Sequence, residues 1–179
     1  PKGGDTITAL GAHNGFLYIF GKNNILIYAG ATDPTTMTLQ DVVTGIGCIS
    51  RDSVANTGSD IVFLSKTGVR SLLRTIQEKS APLRELSKNV RNDLMSYVEG
   101  ETDTTIKAVY SPVDAFYLLT LQNGLVSYCF DTKAALQDGS ARVTTWSDLV
   151  PKCGYVTADG RLLLGQTGYV GQYTGNTDN

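Results

Sequence analysis

Residues 16–28 read FLYIFGKNNILIY, two apolar runs joined by a short polar segment. Each run is rich in residues that favour β-strands, and the Gly and Asn residues between them suit a tight turn with positive φ. The pattern is typical of a β-hairpin. Because residues 16–20 and 25–28 are apolar at nearly every position, they also predict inner strands that are covered on both faces.

The same hairpin signal recurs three more times along the chain. Further apolar runs begin at residues 61, 116 and 162, and each is followed by a short turn segment that ends in glycine. The four turns are placed at Asn24, Gly68, Gly124 and Gly168, at intervals of 44, 56 and 44 residues. A period of about 45 residues with several strands in each unit is the size of one β-propeller blade.

The repeat predicts an all-β fold, a β-propeller or propeller arc of about four blades, in a single domain that spans residues 1–179. The blades are expected at residues 1–36, 37–79, 104–148 and 149–179. With 41% hydrophobic residues, the 179 residues suffice for one sizeable core. The sequence lacks an initiator Met and any run of 18 apolar residues, so we expect a fragment of a longer chain without a membrane segment.

Between the second and third units the β pattern gives way to a helical one. Apolar residues recur at steps of three and four, at Leu83, Leu86, Val90, Leu94, Tyr97 and Val98. Ser87 stands where the N-cap of such a helix is expected. The pattern predicts an amphipathic helical insertion over residues 80–103. Such an insertion accounts for the longer middle interval, because insertions in repeat proteins map to loops on one face.

Residues 66–91 carry a local excess of positive charge. They hold seven basic residues against Glu78 and Glu85, a balance of +5, although the net charge of the chain is −2. Arg84, Lys88 and Arg91 form the candidate interaction surface, because a basic stripe suits an acidic neighbouring subunit or DNA phosphates. The alternative is a solvated helix face beside an edge strand protected by charge. A pI of about 5.3 argues against nucleic-acid binding by the domain as a whole.

Several segments resemble a known family of viral proteins. They are ITAL (7–10), LYIFGKNNI (17–25), GIGC (45–48), SVA (53–55), DIVFLSKTGV (60–69), YSPVDAFYL (110–118) and VSYCFDT (126–132). These segments are similar to the propeller region of short-tailed bacteriophage tail proteins, the tail nozzle (tail tubular protein B) and packaged-DNA stabilisation families. The resemblance covers most of the chain. The family's proteins are much longer, so we expect this chain to be a piece without their channel-lining parts.

The resemblance implies a structural component of a phage tail, a nozzle, hub or head-completion ring. The propeller would act as a protein–protein interaction module in virion assembly and DNA passage. The implied partners are other phage tail subunits, in a homo-oligomeric ring of the full-length protein, with DNA contact as a further option. The implied location is the virion tail, assembled in the bacterial host cytoplasm. The alternative is a receptor-binding or carbohydrate-binding propeller module of a virion or secreted protein.

Residues suited to catalysis or metal binding are few. His13, the single histidine, stands beside a turn-forming Asn-Gly pair with no nucleophile pattern nearby, and we interpret it as a surface turn residue. Glu99, Glu101 and Asp103 lack the spacing and turn glycine of a calcium loop, which favours a solvated linker over a cation site. We expect no enzyme activity, no catalytic residues, no cofactor and no metal.

The cysteines and tyrosines suit packing. Cys48, Cys129 and Cys153 are far apart and odd in number, which favours free thiols; the alternative is a Cys129–Cys153 bridge between neighbouring blades. Aromatic residues at repeat positions are expected to pack blade against blade, or to stack on sugars where they are exposed. The tyrosines at such positions are Tyr18, Tyr28, Tyr117, Tyr128, Tyr169 and Tyr173.

Overall fold

The computed structural model of the protein describes residues 4–77 and 85–175. Of these residues, 44% lie in strands and 12% in helices, so the prediction of an all-β protein is confirmed. The strands of the described residues form four antiparallel sheets, which we number 1 to 4 in chain order. In each sheet, strands that are consecutive in the chain pair with one another.

The bounds of the strands follow the repeat closely. Sheet 1 contains β1 (Ile7–His13), β2 (Phe16–Gly21), β3 (Asn24–Ala29) and β4 (Thr38–Thr44). Sheet 2 contains β5 (Ala55–Asn56), β6 (Ile61–Ser65) and β7 (Gly68–Ser71). Sheet 3 contains β8 (Ile106–Ser111), β9 (Phe116–Leu121), β10 (Val126–Asp131) and β11 (Val143–Trp146). Sheet 4 contains β12 (Cys153–Val156), β13 (Leu162–Gln166) and β14 (Tyr169–Gln172).

The sheets stack face to face in chain order, as the side chains of β6 show. Ile61 and Phe63 join the core that sheet 2 shares with sheet 1. Val62 and Leu64 join the core that sheet 2 shares with sheet 3. Successive side chains of a strand point to opposite faces, so a strand buried on both faces must be apolar throughout. The continuous apolar run of β6 therefore places sheet 2 inside the stack.

Strand β9 places sheet 3 inside the stack in the same way. Tyr117 and Leu119 face sheet 2 and belong to its core, and the Tyr117 hydroxyl donates a hydrogen bond to the Ser53 carbonyl oxygen at 2.6 Å. Phe116 and Leu118 face sheet 4. Phe116 is also part of an aromatic group with Trp146 and Tyr173, whose ring centroids lie 5.9 and 5.3 Å from its own. Sheet 3 is thus packed on both sides within this chain.

Two predicted boundaries differ in the structure. Strand β4 pairs with β3, so the first sheet extends past residue 36, where the first unit was expected to end. The sequence of residues 69–76 also predicts a strand, but the strand ends at Ser71 and helix α1 (Leu72–Gln77) follows it. The Asp60 carboxylate accepts a hydrogen bond from the Leu73 backbone N–H at 3.0 Å, and this satisfies a first-turn donor of α1. That tertiary contact favours helix over strand.

Gly47, in the segment that connects β4 to sheet 2, lies very close to the backbone of sheet 1. It lies against the turn between β2 and β3, and Cys48 N–H donates to the Gly21 carbonyl oxygen at 2.8 Å. A Cβ atom at Gly47 would lie 2.6 Å from Asn23 N and closer still to Gly21 O and Lys22 C. All three atoms belong to backbone, which does not move aside as a flexible side chain does.

We therefore expect Gly47→Ala to lower the free energy of unfolding by about 1–3 kcal/mol, the usual cost of forcing extra atoms into a packed site. Urea unfolding followed by tryptophan fluorescence measures the change. Gly100→Ala is the matched control, because a Cβ there would meet only Tyr97 O at an ordinary 3.5 Å. Equal stabilities of the two variants would contradict the close approach at Gly47.

The predicted helical insertion is present over part of its length. Residues 88–90 form a 3-10 turn, and helix α2 (Arg91–Val98) continues from it. Leu86, Leu94 and Val98 are buried in the core between sheets 2 and 3, as their spacing predicts. Residues 80–84 of the insertion, with Leu83 and Arg84, lie outside the described residues. Within residues 4–77 and 85–175 no helix is long and apolar enough to cross a membrane.

The prediction that Ser87 caps a helix through its side chain is wrong. It precedes the 3-10 turn, but its side chain makes no capping hydrogen bond. Instead its Oγ accepts a hydrogen bond from Val69 N–H of β7 at 2.9 Å. The neighbouring residue also binds this strand: Leu86 N–H donates to Val69 O at 2.9 Å, and Leu86 O accepts from Ala141 N–H at 3.0 Å. We call residues 85–87 the Leu86 strap, because they join β7 to the loop that follows β10.

Two of the four predicted turns differ in detail. Gly68 and Gly168 have positive φ, at 142° and 84°, as expected. Gly124 is not among the residues with positive φ; the next residue, Leu125, takes that conformation with φ 52°. Asn24 already belongs to β3, so the first turn lies one residue earlier. Close packing, and not a positive φ, therefore explains the glycine at position 124. A Cβ atom there would lie 2.6 Å from the Tyr97 ring.

Candidate interaction surfaces

A polar cavity lies where the turn between β6 and β7 faces the start of α2. Its volume is about 690 Å³. The lining residues are Thr67, Arg70 and residues 88–93. Two members of the predicted interaction surface, Lys88 and Arg91, therefore lie at this cavity. The third, Arg84, is outside the described part of the chain.

A buried carboxylate organises the positive charges around the cavity. The Glu85 side chain is fully buried, and its Oε1 accepts a hydrogen bond from Arg91 Nε. Its Oε2 lies 3.5 Å from Arg70 Nη2. Arg70 is itself buried, and the Ser65 and Thr67 hydroxyls accept hydrogen bonds from its guanidinium at 3.1 and 2.8 Å. A buried charge is tolerated only when it is paired, so these contacts explain why Glu85 interrupts a basic segment.

Lys88 makes its ion pair with the loop after β10. Its Nζ lies 3.1 Å from Asp138 Oδ2 at an exposed position. Two hydrogen bonds from Ser140, with a further contribution from Lys88, lower the pKa of Asp138 to about 2. Asn89 Nδ2 also donates to Ser140 Oγ at 2.9 Å. The start of the helical segment is thus held against this loop.

The charges around the cavity balance one another. Arg70 and Arg91 pair with Glu85, Lys88 pairs with Asp138, and Asp93 adds a further carboxylate to the lining. The Asp93 carboxylate also accepts a hydrogen bond from the Tyr128 hydroxyl at 2.6 Å. Lys88 and Arg91 therefore each have a partner within the chain, which favours a structural role for them. A contact of these residues with a neighbouring subunit or with DNA stays a prediction.

An apolar surface lies at one end of the stack, on the side of sheet 1 that faces away from sheet 2. Strand pairing places two rows of side chains across this outer face. One row is Leu10, Ile19, Leu26 and Val42. The other row is Ala12, Leu17, Tyr28 and Leu39. None of the eight is buried, and Leu10 is 64% exposed.

This exposure differs from the prediction for residues 16–28. Their continuous apolar pattern predicted strands covered on both faces, but the described residues cover only the face with Tyr18, Phe20 and Ile25. Monomeric proteins rarely leave a contiguous apolar patch of this kind in water. The outer face of sheet 1 is therefore a candidate interaction surface in its own right.

Sheet 4 has a similar uncovered side at the other end of the stack. Gly154, Leu162 and Leu164 point towards sheet 3. The alternate positions form the outer face, with rows Cys153, Gly165, Val170 and Tyr155, Leu163, Gln172. Val170 is 68% exposed. The exposed tyrosines of this sheet do not form one platform for a sugar, because the register places Tyr155 and Tyr169 on opposite faces.

His13 was predicted to be a surface turn residue, and this is wrong. It is the last residue of β1 and only 6% of its surface is exposed. Its Nε2 has no hydrogen-bond partner among the described residues. The alternation of β1 carries the signal that the prediction missed, since Ala9 and His13 are four positions apart and point to the same buried face.

Glu101, one of the acidic residues after α2, has a structural partner. Glu101 Oε1 accepts a hydrogen bond from Gly124 N–H at 2.8 Å, which ties the linker to the turn between β9 and β10. In the part of the chain that the structure covers, no group of three or more His, Cys, Asp or Glu residues is placed to hold a metal ion.

The three cysteines are free thiols, and the alternative Cys129–Cys153 bridge is not formed. Cys48 is buried in the core between sheets 1 and 2, whereas Cys153 is exposed on the outer face of sheet 4. Burial raises the pKa of Cys48 and raises that of Cys129 to about 11. Three thiols of one chain thus lie in three different environments.

We expect alkylation by iodoacetamide at pH 8 to modify Cys153 first, then Cys129, and Cys48 only on unfolding. Only the thiolate reacts, and a thiol with a pKa of about 11 is ionised to roughly 0.1% at this pH. The rate at Cys129 should rise as the pH is raised towards 11, because its thiolate fraction rises with it. Peptide mass spectrometry over time measures the order. Modification of Cys48 before Cys153 in the folded protein would contradict the burial of Cys48 between sheets 1 and 2.

No protein-family model and no curated protein matches the chain. Two features of the chain bear on its function: the resemblance of its sequence segments and the geometry of the stack.

Proposed function

We propose that this chain is a structural module of a short-tailed phage tail, and that its four sheets are consecutive blades of a propeller arc. The observation that carries the proposal is the stacking of four antiparallel sheets in chain order. Propellers are built by radial repetition of such sheets, which leaves only short edges exposed. The segments that resemble phage tail proteins include β2, β6, β9 and β10.

The module acts by protein–protein contact in virion assembly. Its partners are other tail subunits, and the full-length protein forms a homo-oligomeric ring in the tail, assembled in the cytoplasm of the bacterial host. Ring assembly requires surfaces that hold subunits together, and two apolar sheet faces at the ends of the stack meet this need. A non-enzymatic role fits the internal pairing of the charged residues around the larger cavity.

Virions made from the genome that encodes this sequence provide the test. Mass spectrometry of gradient-purified particles should find peptides of the chain in constant ratio to known tail proteins, and gold-labelled antibodies should mark the tail. Peptides found only in the soluble fraction of infected cells would overturn the proposal. Binding to a glycan array, combined with absence from virions, would instead favour the receptor-binding or carbohydrate-binding alternative.

A further inference from the structure

We propose that Asn14 and Gly15 form a site of spontaneous covalent modification. In the folded protein, Asn14 loses ammonia through a succinimide and becomes aspartate or isoaspartate. The sequence contains two Asn-Gly pairs, at residues 14–15 and 123–124. The fold leaves the first pair open to this reaction and protects the second. This inference goes beyond the proposed function and does not depend on it.

The reaction needs only the two residues of the pair and water. The backbone nitrogen of the glycine loses its proton to water and attacks Cγ of the asparagine side chain. The Cγ–Nδ2 bond breaks, and the amide nitrogen leaves as ammonia with a proton from water. One water molecule then opens the five-membered imide, at Cγ to give aspartate or at the backbone carbonyl carbon to give isoaspartate. Glycine favours the attack because no side chain stands beside the attacking nitrogen.

Asn14 and Gly15 form an exposed two-residue loop between β1 and β2. Their φ values of 48° and 78°, with His13 paired to Phe16, are those of a tight hairpin turn. The hydrogen bonds of such a loop join the flanking residues, so the Gly15 N–H faces water. Apart from its chain neighbours, nothing in the described chain would lie within 4 Å of a Cβ atom at Gly15. The loop can therefore rotate towards ring closure without displacing a packed group.

The second pair is held by the linker after α2. Asn123 Nδ2 donates a hydrogen bond to the Gly100 carbonyl oxygen at 2.9 Å, which fixes the side chain that would be attacked. Gly124 N–H, which contains the attacking nitrogen, donates to Glu101 Oε1 at 2.8 Å. The carboxylate disfavours loss of that proton, because a second negative charge would form beside it. The Tyr97 ring also packs against Gly124, so rotation of this turn would displace it.

The two hydrogen bonds set the expected difference between the pairs. Both must open before the ring can close at Asn123, and opening two such bonds slows a reaction roughly tenfold or more. We therefore expect Asn14 to react at least about tenfold faster than Asn123 in the folded chain. Both asparagines precede glycine, so their rates should be similar once the chain is unfolded.

The modification changes the charge and the geometry of the hairpin. Each product adds one carboxylate, so the formal net charge of the chain changes from −2 to −3. Aspartate fits the turn, because Asp tolerates positive φ as Asn does. Isoaspartate adds one atom to the main chain of a two-residue loop and so disturbs the pairing of His13 with Phe16. Its free α-carboxylate is the group that isoaspartyl carboxyl methyltransferases esterify with S-adenosylmethionine.

Timed incubation of the folded chain and of the guanidinium-unfolded chain at pH 8 and 37 °C tests the site. A short digestion at mildly acidic pH, followed by peptide mass spectrometry, measures the mass gain at each asparagine. Methylation by a purified isoaspartyl methyltransferase measures isoaspartate. The folded chain should convert Asn14 and retain Asn123, and the unfolded chain should convert both at similar rates. Similar rates in the folded chain, or an Asn14 that stays intact there while the unfolded chain reacts, would overturn the proposal.

Three variants test the site and its protection separately. Asn14→Gly keeps a residue that accepts positive φ and should remove the fast methylation. Glu101→Ala removes one protecting bond and should raise the rate at Asn123 roughly two- to tenfold, with the rate at Asn14 unchanged. Glu99→Ala is the matched control, since Glu99 is an exposed carboxylate next to the same linker. Circular dichroism melting shows that each variant is folded. Equal rates at Asn123 in the Glu101→Ala and Glu99→Ala chains would overturn the protection by Glu101.

Discussion

Replacing Phe63 by alanine is expected to lower the free energy of unfolding by about 3–5 kcal/mol, the range found for large aromatic side chains removed from packed cores. Phe63 is fully buried between sheets 1 and 2, and its ring centroid lies 5.1 Å from that of Phe20. The lost stability combines the transfer free energy of the removed ring with the cost of the cavity that remains. For a chain of this length the unfolding midpoint should fall by roughly 6–20 °C.

Two control variants make this prediction specific. Phe63→Leu keeps most of the volume and should cost less than half as much, because only part of the cavity opens. Val113→Ala removes an exposed side chain and should stay within about 0.5 kcal/mol of wild type. Guanidinium unfolding followed by circular dichroism gives all three values. A loss below about 1 kcal/mol for Phe63→Ala would mean that the core between sheets 1 and 2 is not packed as described.

The second large effect is expected from Arg70→Met. This change keeps the length of the side chain but removes one of the two guanidinium groups beside the buried Glu85 carboxylate. Breaking a buried ion pair by removing one partner costs about 3–5 kcal/mol, because a charge is left without compensation. We expect a value near the lower end, since Arg91 remains bonded to Glu85.

The double variant Arg70→Met, Glu85→Gln separates the charge from the shape of the site. Because it removes the uncompensated carboxylate as well, it should recover a large part of the lost stability. Lys88→Met is the surface control: its pair with Asp138 is exposed, and we expect no change in the unfolding midpoint. A double variant as unstable as Arg70→Met alone would show that lost hydrogen bonds to Ser65 and Thr67, and not the buried charge, account for the effect.

The local sequence pattern was sufficient to predict where the hairpins lie, but not to predict which sheet each strand joins. The runs at residues 61–64, 116–119 and 162–164 all form strands at the predicted places, because alternation and turn residues act over a few positions. Strand β4 was assigned to the wrong unit, since the pattern of residues 38–44 indicates a strand without saying which neighbour it pairs with. The sequence of residues 72–77 is compatible with a strand or with a helix. The hydrogen bond from Leu73 N–H to the Asp60 carboxylate favours the helix.

The candidate surfaces were predictable only in part for a similar reason. Charge counting identified Lys88 and Arg91, because an excess of basic residues is visible in sequence. It could not place Arg70 beside them, since the two segments meet only in the folded chain. Glu85 was the available signal, a single carboxylate between Arg84 and Lys88. The open face of sheet 1 was not predictable, because its strands have the apolar composition of strands that are buried on both faces.

The Leu86 strap gives the stack an order of assembly. Its two backbone hydrogen bonds connect residues far apart in the chain, Val69 on one side and Ala141 on the other. Because loop closure costs more conformational entropy for longer loops, we expect the bond to Val69 to form early and the bond to Ala141 only after sheets 2 and 3 have met. Once both bonds have formed, sheets 2 and 3 cannot separate unless the hydrogen bonds of the strap break. The middle of the stack should behave as one cooperative unfolding unit, from which the outer sheets detach first.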